Sequence, residues 1–392
     1  MSKNPKSKKS SMAIGGNSSD VIVIGGGAMG SATAFELLKR GAKTRLFEQY
    51  LMGHDLGSSH GYSRIIRRDY YEAPEYVPLV DRAYELWREL EEASNDSLLT
   101  ITGILGMGTP DGPYVTGSTL SCKTHKIPQE QLNAAEVRKR FPQFNPPDHF
   151  AAVYQKDGGI LAVERCILTY RLLFRKKGGL LHEDEEVLSV TPEKGGKSFR
   201  VQTRKGVYTT ERVVICAGPW ASRVLKDLKL PLQVERQTLG FYNPLEREIF
   251  ELGRMPVFFF DFGDSEYYGF PFFGIDCLKV ARHHGGRIVQ PDAVERNFTT
   301  EDNEQLLRFL KAYMPKGAGP MRLGKVCLYT NTPDHHFILD KHPEYEHISI
   351  ATGFSGHGFK FASSVGEVMA ELALKGKSRL KIDFFRIGRF SK

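Results

Sequence analysis

Val21-Ile-Val-Ile-Gly25-Gly-Gly27-Ala28-Met29-Gly30 is the stretch whose reading decides the fold. Its β-branched run predicts a buried parallel strand, and glycines at 25, 27 and 30 predict a tight turn that opens a helix. Gly25 lets the chain turn sharply, Gly27 lets its backbone come close to a pyrophosphate, and Gly30 lets the helix pack on the strand. The helix start, with Ala28 and Met29, presents unpaired N–H groups and partial positive charge to phosphates. Ala32, Phe35 and Leu38 recur at helical spacing, Gly41 sits where a C-cap belongs, and Thr44-Arg-Leu-Phe-Glu48 reads as a second strand. Glu48 ends that strand where a carboxylate is needed to bind the ribose hydroxyls of an adenosine. Strand, turn, helix, strand and acid in this order predict an α/β, Rossmann-type dinucleotide site. The motif alone does not choose between FAD and NAD, and a lone glycine triplet would also suit a turn in another α/β protein.

At 392 residues the chain exceeds one ordinary core, so two domains are expected. Composition, 41% hydrophobic, 11% aromatic and 26% charged, is that of a soluble globular protein. No apolar run reaches the roughly 18 residues of a membrane-spanning helix, so no membrane partner is expected. A net charge of +8 raises nucleic acid as a partner, but Lys3, Lys6, Lys8 and Lys9 all precede the first acid, Asp20. Half of the excess therefore sits in a Ser-rich leader, residues 1–18, expected to be disordered, and no nucleic-acid partner is expected. The leader has no apolar h-region and so is not a secretory signal; an organelle-sorting role stays open, and Met12 is a candidate alternative start. Cys122, Cys166, Cys216, Cys277 and Cys327 are odd in number and lack CxxC spacing, which argues for a reducing compartment rather than a disulfide framework or a zinc site. The pairs His283-His284 and His335-His336 have no carboxylate or thiol at metal-ligand spacing, so no metal is expected. Phe390-Ser391-Lys392 lacks the final Leu of a peroxisomal Ser-Lys-Leu signal, and the cytoplasm is the expected location.

Gly57-Ser58-Ser59-His60-Gly61-Tyr62-Ser63-Arg64-Ile65-Ile66-Arg67 is a small-residue loop running into a basic segment. A helical segment would put Arg64 and Arg67 on one face, able to meet one anion together; the plainer reading is two solvated or salt-bridged arginines. Tyr76 to Leu90 is an amphipathic helix with Trp87 in its core stripe. Residues 95–147 shorten into strand-like pieces and polar turns, read as a first crossing into a second domain. A helix around Arg165 to Lys176 follows, then strands near 186–190, 199–203 and 206–210, and Val213 to Cys216 as another buried parallel-type strand ending at Ala217-Gly218-Pro-Trp220, beside the cofactor. From Leu232 to Arg322 the aromatic, strand-rich pattern suggests an antiparallel sheet walling a pocket, with one helix carrying Leu306, Phe309, Leu310 and Tyr313. The chain then re-enters the first domain through Lys325 to Asp340, and a strand at Ile348 to Thr352 leads into Gly353-Phe-Ser-Gly356-His357-Gly358-Phe359-Lys360, a second N–H cluster suited to a delocalised anion. The expected division is a discontinuous cofactor-binding domain of residues 19–92, 152–226 and 323–392, and a mainly antiparallel substrate domain of residues 93–151 and 227–322.

Through the Gly25 motif, Gly57-Ser-Ser-His-Gly with Arg64 and Arg67, Lys279 with His283, Cys327-Leu-Tyr329-Thr and Gly353 to Lys360, residues 18–389 resemble the monomeric sarcosine oxidases and their relatives, the N-methyltryptophan and pipecolate oxidases. The resemblance implies FAD, joined by an 8α-methyl thioether to Cys327. A thiolate beside basic groups is a competent nucleophile, and such attachment makes a flavin more oxidising. It implies a monomer whose partners are a small secondary amino acid and O2. The carboxylate of that substrate would be held by Arg67 and Lys360, Tyr329 would flank it over the flavin, and His283 would favour the neutral amine. A hydride equivalent would leave the carbon beside nitrogen for flavin N5, and water would hydrolyse the imine, giving glycine and formaldehyde from sarcosine. N–H groups around Gly356 to Lys360 would stabilise charge on reduced flavin, Lys279 would favour electron transfer to oxygen, and His60 and Arg64 would support the flavin. Arg67, Lys279, Tyr329 and Lys360 are thus expected to converge on one isoalloxazine face.

Other readings stay open. A dehydrogenase of this fold would pass electrons to a carrier, against which Lys279 argues. Within the family the substrate could instead be pipecolate, saccharopine, N-methyltryptophan or a glycated amino acid, since Phe258 to Phe273 carry no readable code. A flavin-binding protein without turnover is disfavoured by the intact Arg67, Lys279, Tyr329 and Lys360, and a NAD-linked dehydrogenase leaves Cys327 unexplained.

Overall fold

A computed structural model describes residues 16–51 and 53–390. The four leader lysines and Met12 lie outside the described residues, and the first strand, Ser18–Ile24, begins where the leader was expected to end.

That strand is central to a sheet of eight. It pairs in parallel with Thr44–Phe47 on one side and Val207–Ile215 on the other, with Ile22 opposite Arg45 and Val213. Its alternating side chains fill two cores, as the period of a strand requires. Val21 and Val23 pack into a layer formed by helices Ala28–Lys39, Val77–Ser94, Val163–Lys176 and Ala362–Lys375. Ile22 and Ile24 face the opposite core with Phe199, Val213 and Ile215. Burial of each such side chain stabilises the fold by roughly 1.5–3 kcal/mol. At Gly30 a Cβ would meet the Gly25 carbonyl oxygen at 1.8 Å, so the helix start closes on the turn only with glycine there. Trp87 is a core residue, and its indole N–H donates to the Lys360 carbonyl at 2.9 Å, tying that helix to the second glycine-rich loop.

The second sheet also has eight strands, running Met321–Asn331, Gln233–Tyr242, Leu278–His283, Glu266–Phe270, Val257–Asp261, Ile104–Gly108, Ala151–Gln155 and Glu130–Asn133. All neighbours are antiparallel except Val257–Asp261 with Ile104–Gly108. Phe258 and Phe260 point into a core closed by Leu306, Phe309 and Leu310, while Phe259 points to the other face, with Tyr268 and Leu239. A small antiparallel sheet of Ser63–Ile66, Gly159–Ala162 and Leu99–Ile101 completes the strands.

Four local expectations change. Arg64 lies in the strand Ser63–Ile66, not in a helix, and Arg67 follows its end, so the two reach the site separately. Residues 95–147 contain helices Pro113–His125 and Ala134–Arg140; the first buries Ser118 and Ser121 beside Tyr114 and Cys122, which dilutes the apolar stripe that would have revealed it. The pieces 206–210 and 213–216 form one strand, Val207–Ile215, because its exposed first half and buried second half continue one ladder. Met321–Asn331 pairs along its length with Gln233–Tyr242, so Cys327 and Tyr329 ride on the edge strand of the second sheet rather than in the first domain.

Candidate active site

Two joined hollows lie between the sheets. The larger, about 390 Å3, runs from the first glycine turn to Tyr329; the smaller, about 50 Å3, continues past Arg64, Gly356 and Phe359, which line both.

The larger hollow takes in Gly25, Gly27, Ala28, Met29, Glu48, Ser58, Ser59, Ala217, Gly218, Trp220, Gly353 and Gly358. Its phosphate end has the chemistry expected of a dinucleotide site. Gly27 supplies no capping side chain to the helix at Ala28 and its first turn carries no acid; the Ala28 N–H makes one long bond of 3.4 Å to Ser59 Oγ, so the helix start still presents donors to an anion. A Cβ on Gly27 would come no nearer than 3.5 Å to Ser59 Oγ, so the glycine is not there for protein packing and leaves its backbone open to a ligand. Glu48 accepts from the backbone N–H of Gly26 at 2.8 Å and of Tyr50 at 3.0 Å, which fixes its carboxylate at the hollow. Trp220 is held there by its indole N–H to Asp292 at 2.7 Å. Arg171 was not singled out from the sequence; it donates to the Gly26 carbonyl from the buried face of its helix, and a lone arginine on an apolar stripe was the available signal. These residues fit FAD.

Where the hollows meet, Arg64 Nη2 donates to the Ser58 carbonyl at 2.9 Å and stands 3.7 Å from Cys327 Sγ, while Ser58 Oγ donates to the Leu328 carbonyl at 2.6 Å. The loop 57–63 is thereby locked onto the strand that carries Cys327. Glu164, also missed, accepts from the N–H of Gly61 at 2.7 Å and shapes the same loop. His60 is buried with neither ring nitrogen bonded; burial and Arg64 push its pKa down to about 3, so the imidazole is neutral.

The smaller hollow brings Arg67, His283, His357 and Lys360 together. Arg67 donates to Glu72 at 2.7 Å and to the Asp69 carbonyl at 2.5 Å, and its guanidinium lies 4.6 and 4.8 Å from the ring centres of Tyr70 and Tyr71. Lys360 Nζ donates to the His357 carbonyl at 2.8 Å; burial, then Arg67, bring its pKa down to about 7. His357 Nε2 lies 2.9 Å from the His335 carbonyl and must donate to it, so Nδ1 accepts from the Tyr70 hydroxyl and the ring is neutral. His283 Nδ1 lies 3.1 Å from the Tyr329 hydroxyl, itself 3.4 Å from that of Tyr268; burial holds His283 well below its ordinary range.

The expected convergence of four groups is therefore partial. Arg67 and Lys360 share the small hollow, and Tyr329 lines the large one while touching His283. Lys279 lines neither: its ammonium donates to the carbonyls of Gly61 and Ser63, both at 2.9 Å, and to Ser63 Oγ at 3.1 Å, using all three protons. Burial and Arg64 hold it well below the usual lysine range. Glu72, Tyr71, Phe259 and Tyr268 also line the small hollow and were missed. Glu72 sits in a loop without period, whereas strand alternation at Tyr267-Tyr268 could have exposed the inward-facing member.

Against proteins already characterised, the chain is 39% identical over 379 residues to a monomeric sarcosine oxidase of Arthrobacter sp., covering 94% of this chain and 96% of that one. It is 32% identical over 374 residues to an N-methyl-L-tryptophan oxidase of Yersinia pestis, covering 95% and 99%. Among solved structures, NikD, an amino acid oxidase of nikkomycin biosynthesis, superposes with a TM-score of 0.82 at 23% identity over 94% of this chain and 97% of that one, a likeness of fold. The model of the FAD dependent oxidoreductases matches residues 20–372. The glycine-turn cradle opens onto a hollow lined by the buried Arg67 and Lys360, and the chain belongs to the FAD dependent oxidoreductase family.

Proposed function

We propose that this FAD-dependent amine oxidase acts on a small secondary, N-methyl amino acid such as sarcosine. Oxidation of its C–N bond gives an imine that water hydrolyses, to glycine and formaldehyde for sarcosine, while O2 is reduced to H2O2. FAD, when bound, supplies the two-electron acceptor. The observation that carries this reading is the placement of Arg67 and Lys360 in a hollow of only about 50 Å3 that adjoins the cofactor cradle.

Arg67 and Lys360 bind the substrate carboxylate, which takes over the role Glu72 has toward Arg67. His283 and Tyr329 face the amine; a buried neutral imidazole adds no charge, so it favours the uncharged amine that oxidation needs. Tyr268 and Phe259 exclude water from the same wall. Arg64, where the hollows meet, supplies the fixed positive charge that favours reduction of oxygen, and Lys279, bonded to Gly61 and Ser63, adds to it when protonated. Cys327, with Arg64 beside its sulfur, carries the flavin covalently.

The small hollow suits a short substrate such as sarcosine, and a longer one would extend past its lining residues Tyr71 and Phe259. We read the protein as a cytoplasmic monomer. All five cysteines are free, and among the described residues no helix is long and apolar enough to cross a membrane. The test is a peroxidase-coupled assay of the yellow holoprotein with sarcosine, N-methyl-L-tryptophan and pipecolate. Peroxide should appear fastest with a small N-methyl amino acid, and none with any of them would end the proposal. Colour that follows the protein through acid precipitation would mark covalent flavin; colour left in the supernatant would remove that part alone.

A further inference from the structure

The sheet wall of the small hollow holds a carboxyl group that the reaction above does not use. Glu266 pairs directly opposite His283, and Tyr268 lies two residues beyond it on the same strand. Opposite and alternate residues share one face of a sheet, so Glu266 points to the side from which His283 and Tyr268 line the hollow. One ring separates it from that space: the Tyr71 hydroxyl donates to Glu266 Oε1 at 3.3 Å, and the same ring lies 4.8 Å from the Arg67 guanidinium. No cation is paired with Glu266 among the described residues. Its charged neighbours include Asp261, opposite it on the next strand, and Glu72, and burial together with Asp261 pushes its pKa up to about 8. Asp261 is occupied, accepting from the N–H of Tyr114 at 3.0 Å and of Gly263 at 2.8 Å. Among the described residues Glu266 has only its one long hydrogen bond, an arrangement that costs stability rather than adding it.

We infer that Glu266 sets substrate preference by releasing its proton to solvent and pairing with a cationic donor at the far end of the substrate, so that basic amino acids are favoured over their apolar isosteres. The inference rests on the carboxylate position proposed above: with that group at Arg67 and Lys360, a side chain or N-substituent that displaces the Tyr71 hydroxyl reaches Glu266. Sarcosine, which has no such extension, would not engage it.

Calorimetric titration of the holoprotein with 5-aminopentanoate and with hexanoate tests this. The two have the same length, differ by an ammonium in place of a methyl, and carry no amine beside the carboxylate. The wild-type protein is expected to bind 5-aminopentanoate at least tenfold more tightly than hexanoate, and the ratio is expected to fall to within twofold in both Glu266→Gln and Glu266→Leu. Equal binding of the two by the wild type, or a ratio that survives in both variants, overturns the role of Glu266 while leaving the carboxylate site in place. Failure of both ligands to bind the wild type removes the carboxylate site, and this inference with it.

Discussion

Arg67 and Glu72 form an ion pair of 2.7 Å inside the smaller hollow, each side chain almost wholly enclosed. The arginine proposed to bind the substrate carboxylate is therefore neutralised before any ligand arrives, and on that proposal a bound carboxylate competes with Glu72. Breaking a buried pair by removing one partner costs about 3 kcal/mol, because the other charge is left alone. Glu72→Gln should lower the melting temperature of the ligand-free protein and should gain more from added acetate than the wild type does. Thermal melts with and without acetate check this; equal gains would mean that Glu72 does not compete for Arg67.

Carboxylate binding at Lys360, as proposed, should depend on pH. Its pKa of about 7 in the free site means that a carboxylate meets an ammonium below that pH and a neutral amine above it. Hexanoate affinity is expected to be flat from pH 6 to 7 and then to fall by up to tenfold per unit, reinforced above about 8 by the ionisation of Glu266. Lys360→Arg should hold the affinity level to pH 8, and Lys360→Met should give weak binding without that fall. The same depression bears on stability: between about 7 and the ordinary 10.5 the unfolded chain holds a proton that the folded chain has lost, so the cost of burying this ammonium, full below about 7, is relieved as pH rises across that window. A hexanoate titration series over pH 6–8 decides the first point; a slope unchanged in Lys360→Met would exclude Lys360 as its source.

The sequence shows the first domain clearly because its chemistry is local. Ser18–Ile24, the glycine turn and Glu48 lie within one short βαβ unit, and each carries its own period or geometric demand. The second glycine-rich loop is legible for the same reason. The substrate wall is different: Glu72, Tyr268 and Glu266 acquire their meaning from strand register and from a loop fold, and neither leaves a pattern in neighbouring residues. Lys279 shows the limit most directly. Its place in a motif indicated importance, but that its ammonium is spent on Gly61 and Ser63 depends on a contact across more than two hundred positions.

Gly27 and Gly30 look alike in the motif and differ in the structure. A Cβ on Gly30 would strike the Gly25 carbonyl oxygen at 1.8 Å, whereas on Gly27 it meets nothing closer than 3.5 Å. Gly30→Ala should therefore fail to give soluble folded protein. Gly27→Ala should fold with a far-ultraviolet spectrum like that of the wild type but retain at least tenfold less FAD, because the methyl group occupies the approach to the pyrophosphate. Flavin-to-protein absorbance ratios and circular dichroism on both variants separate the two roles; equal flavin content in Gly27→Ala and wild type would show that the phosphates lie elsewhere.

Glu48 has two tasks, and substitution can divide them. Its oxygens accept from the N–H groups of Gly26 and Tyr50, holding the glycine turn, and its carboxylate is the group expected to meet ribose hydroxyls. Glu48→Gln keeps one acceptor oxygen for the turn but loses the charge, so its melting temperature should fall only slightly while FAD binding weakens. Glu48→Ala leaves two backbone donors without their partner, each costing about 1–3 kcal/mol, and should lose stability as well as cofactor. Melts of flavin-free protein isolate the first effect and fluorescence-quench titration with FAD the second. If Gln and Ala lower both quantities equally, the carboxylate serves only to brace the turn, and the ribose must be bound by another group at that end of the cradle.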